Sequence, residues 1–544
     1  MSKKNIIKNI STIFVIIAAA ASLIFLVAGY CSVTAEAGEK SSDTEYFTSY
    51  DNEPAAAEDA ECMTELEGDG GSVEGRGAYF ANGDLIILTG GKYLISGELS
   101  DGSIIVKADT SSKVWLIFDG VTIHCEDNAA IRVDQADNVF ISLVEGSENK
   151  LSSGEAFSEE AQADNAKGVI FSHDDLTING SGSLEIDAPY KYAIDANDSL
   201  HITGGDISIT ASEDAIHVND EFNFDGADLT IDAGDDGIHC DEIINILGGS
   251  ILVNKCYEGL EARIINIADG DVTIYPTDDG INANGNSGSE FGGAPGGMGG
   301  FGERPEGFDG QMRGPASGTE GSGDDGGFRG NKDGMRGPGM HSLSENSAVS
   351  GNSAFPGRPE DIGQMPPMMD GQMPQGMRPD NKDAESAAGN GTGRSADKAS
   401  DSEEAEETYI NISGGNITIV NSTARDADGL DSNGDITISG GVIRISMTAD
   451  GNNSAIDYAS ESGGKLTVIG GDIIGCGSSG MAEGFSEEST QYNELVTLEE
   501  TAEAGGTLIV EDEDGNVIAT WEVPCSYNSV IISSPELKEG WSIG

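Results

Sequence analysis

Residues Tyr192–Asn197 read Tyr-Ala-Ile-Asp-Ala-Asn, and this pattern returns along the chain. It recurs as Asp-Ala-Ile-His-Val-Asn at Asp214–Asn219, as Asp-Gly-Ile-His-Cys-Asp at Asp236–Asp241 and as Glu-Gly-Leu-Glu-Ala-Arg at Glu258–Arg263. The apolar third residue of each copy follows the previous one after 22 residues, and after 21 at Ile281. A fixed period of this length is typical of repeat proteins, in which each copy packs on its neighbours.

Each copy contains three short runs of alternating apolar residues. In the first copy Leu200 and Ile202 follow the opening run, a Gly204-Gly205 turn comes next, and Ile207 and Ile209 end the unit. Apolar residues two apart place their side chains on one face of a strand. The pattern therefore predicts an all-β fold: a right-handed parallel β-helix, a solenoid of about 22 residues per coil, with a stacked interior of Ile, Leu and Val.

Composition divides the chain into six predicted parts. These are a signal peptide or membrane anchor (1–35), an acidic linker (36–76), the first part of the β-helix (77–284), a disordered insertion (285–407), the second part of the β-helix (408–484) and a C-terminal β cap (485–544). The leader is predicted because Lys3, Lys4 and Lys8 precede a long apolar run. The protein is therefore expected to be secreted or at the cell surface, with attachment to the membrane if the leader is retained.

The predicted insertion has a composition unlike the rest of the chain. It holds 10 of the 15 prolines, and its only Val, Leu or Ile residues are Leu343, Val349 and Ile362. Such a segment cannot bury a core, which predicts disorder. With the insertion removed, Ile410 follows Ile281 at the spacing found in the other copies. The insertion is therefore expected to leave and re-enter the same coil.

The charge of the chain restricts its partners. The formal net charge is −67, from 95 acidic and 28 basic residues. Nucleic acid is excluded as an expected partner, because phosphate binding needs Lys and Arg on one face. Cations, or a surface bridged by cations, suit this charge better. The cysteines form no CxxC pair, so neither a cysteine-based zinc site nor a disulfide framework is predicted.

Acidic residues recur in phase with the repeat, before the opening strand and on its outward positions. Neighbouring coils lie about 4.8 Å apart, and carboxylates at that spacing repel each other unless a cation lies between them. Ca²⁺ takes about six to eight oxygen ligands, often from carboxylates and amides. The predicted calcium ligands are Asp214, Asp235, Asp236, Glu258, Glu261, Asp278, Asp279, Asp428 and Asp431. The alternative is that these residues occupy turns for backbone reasons and hold no metal.

Three segments resemble a known family. The run Val114–Val121, the Asp-Gly-Ile-His sequence at Asp236 and the stretch Glu483–Ser486 are similar to secreted bacterial carbohydrate-binding β-helix proteins. The resemblance implies a fold like that of pectate lyases and calcium-containing binding of polygalacturonate, an anionic plant cell-wall polysaccharide, and of cellulose. Outward positions and tyrosines beside the repeats supply the carbohydrate-binding candidates: Asp195, Asn197, His217, Asn219, His239, Tyr192 and Tyr257.

Three functions remain open from the sequence. The first is non-catalytic polysaccharide binding at the cell surface, with Ca²⁺ bridging protein and sugar carboxylates. The second is a pectate-lyase-like enzyme, which needs a base beside the calcium, whereas Arg132, Lys191, Lys255 and Arg263 do not cluster in the sequence. The third is a structural or adhesive surface protein. We expect the first, and predict no catalytic residue.

Overall fold

The computed structural model describes residues 54–284, 407–423 and 426–544. The predicted leader and nearly all of the predicted insertion lie outside these residues. The described chain is all-β, with a single short α-helix, α1 (Glu159–Ala163). Most strands join one mixed sheet of 33 strands, and three form a separate sheet. No helix of the described ranges is long and apolar enough to span a membrane.

The strands are short and follow one another closely along the chain. The first twelve are β1 (Cys62–Gly68), β2 (Gly71–Glu74), β3 (Ala78–Ala81), β4 (Asp84–Ile87), β5 (Gly91–Leu99), β6 (Ile104–Lys107), β7 (Lys113–Cys125), β8 (Ile131–Gln135), β9 (Asn138–Leu143), β10 (Glu148–Ser153), β11 (Gly168–Ser172) and β12 (Asp175–Gly180). The next twelve are β13 (Ser183–Ala188), β14 (Tyr192–Ala196), β15 (Leu200–Ile202), β16 (Asp206–Ala211), β17 (Ile216–Val218), β18 (Glu221–Phe224), β19 (Asp228–Asp232), β20 (Ile238–Ile246), β21 (Ser250–Cys256), β22 (Leu260–Ile267), β23 (Asp271–Pro276) and β24 (Ile281–Ala283). The last twelve are β25 (Tyr409–Ile412), β26 (Asn416–Asn421), β27 (Leu430–Ser432), β28 (Asp435–Ile438), β29 (Val442–Met447), β30 (Leu466–Val468), β31 (Asp472–Gly477), β32 (Asn493–Ala502), β33 (Gly506–Glu511), β34 (Val517–Val523), β35 (Tyr527–Ser533) and β36 (Ser542–Ile543).

Parallel pairing follows the sequence repeat and produces three ladders. The first ladder contains β4, β6, β8, β11, β14, β17, β20, β22, β24 and β27. The second contains β5, β7, β9, β12, β15, β18, β20, β22, β25, β28 and β30. The third contains β5, β7, β10, β13, β16, β19, β21, β23, β26, β29 and β31. The long strands β5, β7, β20 and β22 each belong to two ladders.

The register of the first ladder matches the repeat read from the sequence. Ile194 pairs with Ile216, which pairs with Ile238, and the series continues through Leu260 to Ile281. All five side chains have no exposed surface. They belong to one continuous core of Ile, Leu, Val and Ala that runs the length of the three ladders. Burial of these apolar faces against neighbouring repeats supplies the main stabilisation of the chain.

The two chain segments that flank residues 285–406 continue the same repeat. Residues Leu260–Ala262 of β22 pair with β24. The second half of the same strand, Ile264–Ile267, pairs with β25. The chain therefore returns to the repeat that it left, as the spacing of Ile281 and Ile410 predicts.

Deleting residues 285–406, with a short Gly-Ser linker joining Asn284 to Glu407, is expected to leave thermal stability unchanged or slightly raised. Both β24 and β25 keep β22 as their pairing partner, and shortening a loop lowers its closure entropy only slowly. Thermal unfolding followed by circular dichroism measures the effect. A fall in Tm of more than about 5 °C would contradict the prediction.

The folded chain begins earlier than the sequence predicts. The acidic linker assigned to 36–76 contains β1 and β2, and β1 pairs in parallel with β5. In β1 the residues Cys62, Thr64 and Leu66 are buried, whereas Met63, Glu65 and Glu67 are exposed. Glutamates on the exposed face make the segment read as an acidic linker, although its alternation is that of a half-buried strand. The linker boundary is corrected accordingly.

The segment between β10 and β11 forms a small layer over the first ladder. Phe157 and Ala161, the latter in α1, pack on Phe171 of β11 in a second apolar cluster. The Ser158 hydroxyl accepts a hydrogen bond from the Ala161 N–H and caps α1. Phe171 pairs with Asp195 of the next repeat. The layer therefore covers the outward face of the first ladder immediately before Asp195.

Antiparallel strands follow the last repeats. Strand β35 pairs with β31 and with β32. The separate sheet consists of β34, β33 and β36, and shares an apolar cluster with β31 and β35, on which Trp521 and Trp541 pack. This arrangement pairs the last strand of the third ladder, which would otherwise present unpaired backbone groups.

Candidate functional site

The outward side chains of the first ladder form one column, which we call the outward column. Consecutive members pair across neighbouring strands. The outward column comprises Asp195, His217, His239, Glu261, Asn282 and Asp431. Asp457 follows Asp431, since Leu430 bridges to Ile456. Residues three places earlier in each repeat form a second column, the turn column: Asp214, Asp236, Glu258, Asp279 and Asp428. The two columns lie side by side.

Aspartates of the turn column hydrogen-bond to the backbone of the following repeat. The Asp236 N–H donates to Asp214 Oδ1 at 3.3 Å, and the Glu258 N–H donates to Asp236 Oδ1 at 3.1 Å. The Asp428 N–H likewise donates to Asp279 Oδ1 at 2.6 Å. These aspartates therefore bind backbone groups of the turns, the role that the sequence left open as an alternative to metal binding. This role engages one oxygen of each of these aspartates and leaves the other for a further partner.

The first half of the columns is balanced by histidine. The rings of Tyr192 and His217 stack with centroids 4.5 Å apart, and His217 stacks on His239 at 4.7 Å. His217 Nδ1 lies 2.9 Å from Asp214 Oδ2, and His239 Nδ1 lies 2.8 Å from Glu261 Oε2. Burial alone would lower the pKa of His239, but its hydrogen bonds to carboxylates outweigh burial and raise it. An imidazolium at His239 therefore offsets the local negative charge.

The second half of the columns has no such counter-charge. Among the described residues, Glu258, Asp279, Asp428 and Asp431 form no ion pair with Lys, Arg or His. Burial, and then repulsion from neighbouring carboxylates, raises their pKa values: Glu258 to about 10, Asp428 to about 9, Asp279 to about 8 and Asp431 to about 7. Without a cation this half must take up protons near neutral pH.

Asn282 has an unsatisfied buried oxygen in this second half of the columns. It is 6 % exposed and stands in the outward column between Glu261 and Asp431. Its Nδ2 donates to Glu258 Oε2 at 3.0 Å, whereas its buried Oδ1 has no hydrogen-bond partner among the described residues. An orphaned buried acceptor costs about 1–3 kcal/mol. We call Glu258, Asp279, Asn282, Asp428 and Asp431 the oxygen cluster.

The donor set of the oxygen cluster suits calcium. Its ligand atoms are carboxylate and amide oxygens, which are the ligands of a hard cation with flexible coordination. A cation there would satisfy Asn282 Oδ1 and the repelling carboxylates together. The donor types therefore match those of the Ca²⁺ that the sequence predicts. Among the described residues, however, the acidic and histidine side chains whose ligand atoms already converge within 4.8 Å are in the first half of the columns.

The other predicted metal ligands occupy different positions. Asp214, Asp236 and Glu261 contact the histidines of the first half. Asp235 and Asp278 lie beside Tyr257: the Tyr257 N–H donates to the Asp235 carbonyl at 2.6 Å, and the Tyr257 side chain hydrogen-bonds to Asp278. These two aspartates are at the edge of the site and outside the oxygen cluster.

The predicted carbohydrate-binding residues differ in how far the protein itself buries and engages their side chains. Asp195 is 4 % exposed and accepts a hydrogen bond from the Lys167 N–H at 3.1 Å, and burial raises its pKa to about 6. Asn197 hydrogen-bonds to His173 at 2.9 Å. The Asn219 N–H donates to the Ala196 carbonyl, and the residue is partly exposed.

The tyrosines differ in the ring surface that they offer. His217 stacks on one face of the Tyr192 ring. Lys167 Nζ lies over the Tyr192 ring, 5.7 Å from the ring centroid, in a cation–π contact. These two contacts leave Tyr192 less ring surface for the predicted stacking on a sugar. Tyr257 is 39 % exposed and Tyr275 is 45 % exposed. Sequence reasoning missed the ring stack because Tyr192 lies three residues before Asp195, the residue that pairs with His217.

Calcium-free protein is expected to lose stability as pH rises from about 5 to about 9. The oxygen-cluster carboxyls have folded pKa values above the unfolded value of about 4, so the folded state binds more protons. Their stabilising contribution is complete below the unfolded pKa and is lost as pH rises through the folded pKa values. Urea midpoints in chelator across this range measure it. A stability that is independent of pH, or that rises with pH, would refute the conclusion that these carboxylates lack a counter-charge.

Comparison with known proteins finds carbohydrate-binding relatives. A family described as "Carbohydrate-binding domain-containing protein" matches residues 81–287, less than half of the chain, and the match includes the outward column from Asp195 to Asn282. A protein of that description from Acetivibrio thermocellus is 36 % identical over 122 residues, which are 22 % of this chain and 43 % of the relative. The chain thus spans less than half the length of that relative.

A solved structure is also similar to part of the chain. It is described as the polysaccharide lyase-like protein from C. thermocellum, in a gadolinium derivative. It is 27 % identical, and the match covers 39 % of this chain and 90 % of that chain with a TM-score of 0.36.

Proposed function

We propose that this protein binds polysaccharide without cleaving it, and that Ca²⁺ held by the oxygen cluster forms part of the binding surface. The observation that carries the proposal is Asn282 Oδ1. Within the part of the chain that the structure describes, this buried amide oxygen has no hydrogen-bond partner, and the carboxylates around it form no ion pair with a basic side chain. The carbohydrate-binding description of the similar family and of the A. thermocellus relative supports the same function.

The proposed architecture is a right-handed parallel β-helix in which the three ladders are its faces. Each repeat contributes one strand, or half of a long strand, to each ladder. Parallel in-register pairing at the repeat distance and the continuous apolar core support this architecture. It would present the outward column as one straight row, with a residue about every 4.8 Å. A linear polymer could contact several members of such a row.

The proposed ligand is an anionic plant cell-wall polysaccharide, with polygalacturonate as the leading example. A protein with a net charge of −67 repels a polyanion. Bound Ca²⁺ would attract uronate carboxylates locally and share its coordination shell with them. The exposed rings of Tyr257 and Tyr275 would offer faces for sugar stacking beside the acidic columns. The proposed location, secreted or at the cell surface with a retained leader as an anchor, places the protein where such polymers occur.

A polysaccharide lyase is the second candidate, and the described basic residues do not favour it. Elimination from a uronate needs a base next to the metal. Arg132 pairs with Asp134 and Asp164, and Lys191 pairs with Glu213. Arg263 pairs with Glu242. Lys255 lies on the third ladder opposite Asp232. None of these contacts brings a basic side chain to the oxygen cluster. We therefore propose a binding protein rather than a lyase.

A glycan array read with excess Ca²⁺ and again with chelator tests the proposed function. Uronate polymers are expected to bind in Ca²⁺ and to lose their signal in chelator, because the bridging cation is removed. Absorbance of the unsaturated product, followed with the same polymers, should stay at baseline. A growing product signal would establish the lyase instead, and an array without any bound glycan would favour a structural or adhesive protein.

A further inference from the structure

The first half of the columns contains a cluster with nitrogen as well as oxygen ligands. Strands β20 and β22 place His239 opposite Glu261, and Asp236 lies three residues before His239. His239 Nδ1 is 2.8 Å from Glu261 Oε2 and 3.7 Å from Asp236 Oδ2. The Asp236 and Glu261 carboxyl groups are within hydrogen-bonding reach of each other. One ligand atom from each residue therefore lies within 4.8 Å of the other two.

These separations suit a tetrahedral transition metal. Zinc binds nitrogen and carboxylate oxygen at about 2.0–2.2 Å, which puts neighbouring ligand atoms of a tetrahedron about 3.4 Å apart. The two measured separations, 2.8 and 3.7 Å, lie on either side of that distance. Asp236 and His239 are each 8 % exposed. Small movements of buried, already convergent side chains would complete three sides of the site.

A second feature is independent of these distances. His239 Nε2 lies 3.3 Å from Asp241 Oδ1. Histidines that bind metal usually donate their other ring N–H to a carboxylate or carbonyl, which fixes the tautomer and the ring orientation. Asp241 would do so here, and Zn²⁺ would displace the Nδ1 proton that His239 shares with Glu261, releasing it to solvent. The stack on His217 at 4.7 Å holds the same ring in its plane.

We propose that Asp236, His239 and Glu261 form a zinc site with Asp241 as the supporting carboxylate, distinct from the oxygen cluster. Imidazole is a ligand of Zn²⁺ and its neighbours in the transition series, whereas Ca²⁺ selects oxygen. Two carboxylates balance the charge of one Zn²⁺. Three protein ligands leave a fourth position for water or for a hydroxyl of a bound sugar. The columns thus hold two sites of different metal preference in consecutive repeats.

Calorimetric titration of the full chain with Zn²⁺, in saturating Ca²⁺, tests the proposal without reference to sugar binding. Wild-type protein is expected to bind one Zn²⁺ at this site. His239→Ala should abolish that binding, and Asp241→Asn should weaken it about 10–100-fold, as loss of a supporting carboxylate does at other metal sites. His124→Ala is the matched control, because His124 pairs with Glu126 at 3.3 Å outside the columns.

The variants also separate binding from folding. Asp241 has a side chain that is 48 % exposed, so its substitution by asparagine should leave the fold intact by circular dichroism even if His239→Ala unfolds. Substituted Co²⁺ should show the absorption of tetrahedral coordination in wild type and lose it in His239→Ala. Wild-type protein that binds no Zn²⁺ in Ca²⁺, or variants that bind it as tightly as the His124→Ala control, would overturn the proposal.

Discussion

Calcium at a hundred times its dissociation constant is expected to raise the free energy of unfolding by about 2.7 kcal/mol, since it binds the folded chain and not the unfolded one. The oxygen cluster exists only when β22, β24 and β27 are paired, because its residues come from three repeats. In the folded protein the cation would coordinate Asn282 Oδ1 and neutralise the carboxylates, whose charged forms are disfavoured by burial and by mutual repulsion. Denaturant unfolding in Ca²⁺ and in chelator measures the difference.

Two substitutions assign this gain to particular atoms. Asn282→Ala removes the orphaned carbonyl oxygen without changing charge, and should weaken Ca²⁺ about tenfold, which removes about 1.4 kcal/mol of the gain. Asp279→Asn keeps an acceptor for the Asp428 N–H and removes a charge. It should reduce the gain while leaving the chelated protein equally stable or slightly more stable. Asn416→Ala is the control, because Asn416 is exposed on the third ladder and bonds to Asp271. Equal gains in all four proteins would exclude the cluster as the calcium site.

Gly280→Ala is expected to destabilise the folded chain by about 3 kcal/mol, in the upper range for overpacking of a close-packed interior. A Cβ at this position would lie 2.5 Å from the Gly429 carbonyl oxygen and 2.5 Å from Ile419 Cγ2. The equivalent Gly259 makes the same approach to the Gly280 carbonyl oxygen, at 2.3 Å. At Gly259 and Gly280 the close approach leaves no room for a methyl group unless the backbone moves, whereas Ala193 and Ala215 occupy the equivalent position of earlier repeats.

A matched glycine substitution isolates this effect. Gly70→Ala places a Cβ where no atom lies within 4 Å, so its stability should stay within about 0.5 kcal/mol of wild type. Urea midpoints of the two variants provide the comparison. If Gly280→Ala matched Gly70→Ala, the close approach between repeats would not contribute to stability.

The pairing of repeats was predictable because the sequence states it directly. Apolar residues two apart define strands, and the step from Ile194 to Ile216 defines which strands pair. The return of the chain at Ile410 follows from the same arithmetic. The two columns were predictable for the same reason, since a parallel register aligns equal positions of successive repeats.

The chemistry within the columns was not predictable, because it depends on features that the repeat does not encode. The stack of Tyr192 on His217 joins two non-equivalent positions. The absence of a hydrogen-bond partner for Asn282 Oδ1 among the described residues follows from the three-dimensional positions of its neighbours, which the sequence does not give. Strand β1 was missed because its glutamates alternate with few apolar residues, and the layer around α1 because Phe157 reaches Phe171 across the chain.

Calorimetric binding of polygalacturonate to wild type and Asn282→Ala, in Ca²⁺ and in chelator, tests most directly whether the oxygen cluster is the calcium-dependent binding site. Wild-type protein should bind in Ca²⁺ and lose binding in chelator, and Asn282→Ala should need about tenfold more Ca²⁺ for the same binding. Binding that persists unchanged in chelator, and is equal in the two proteins, would contradict the account.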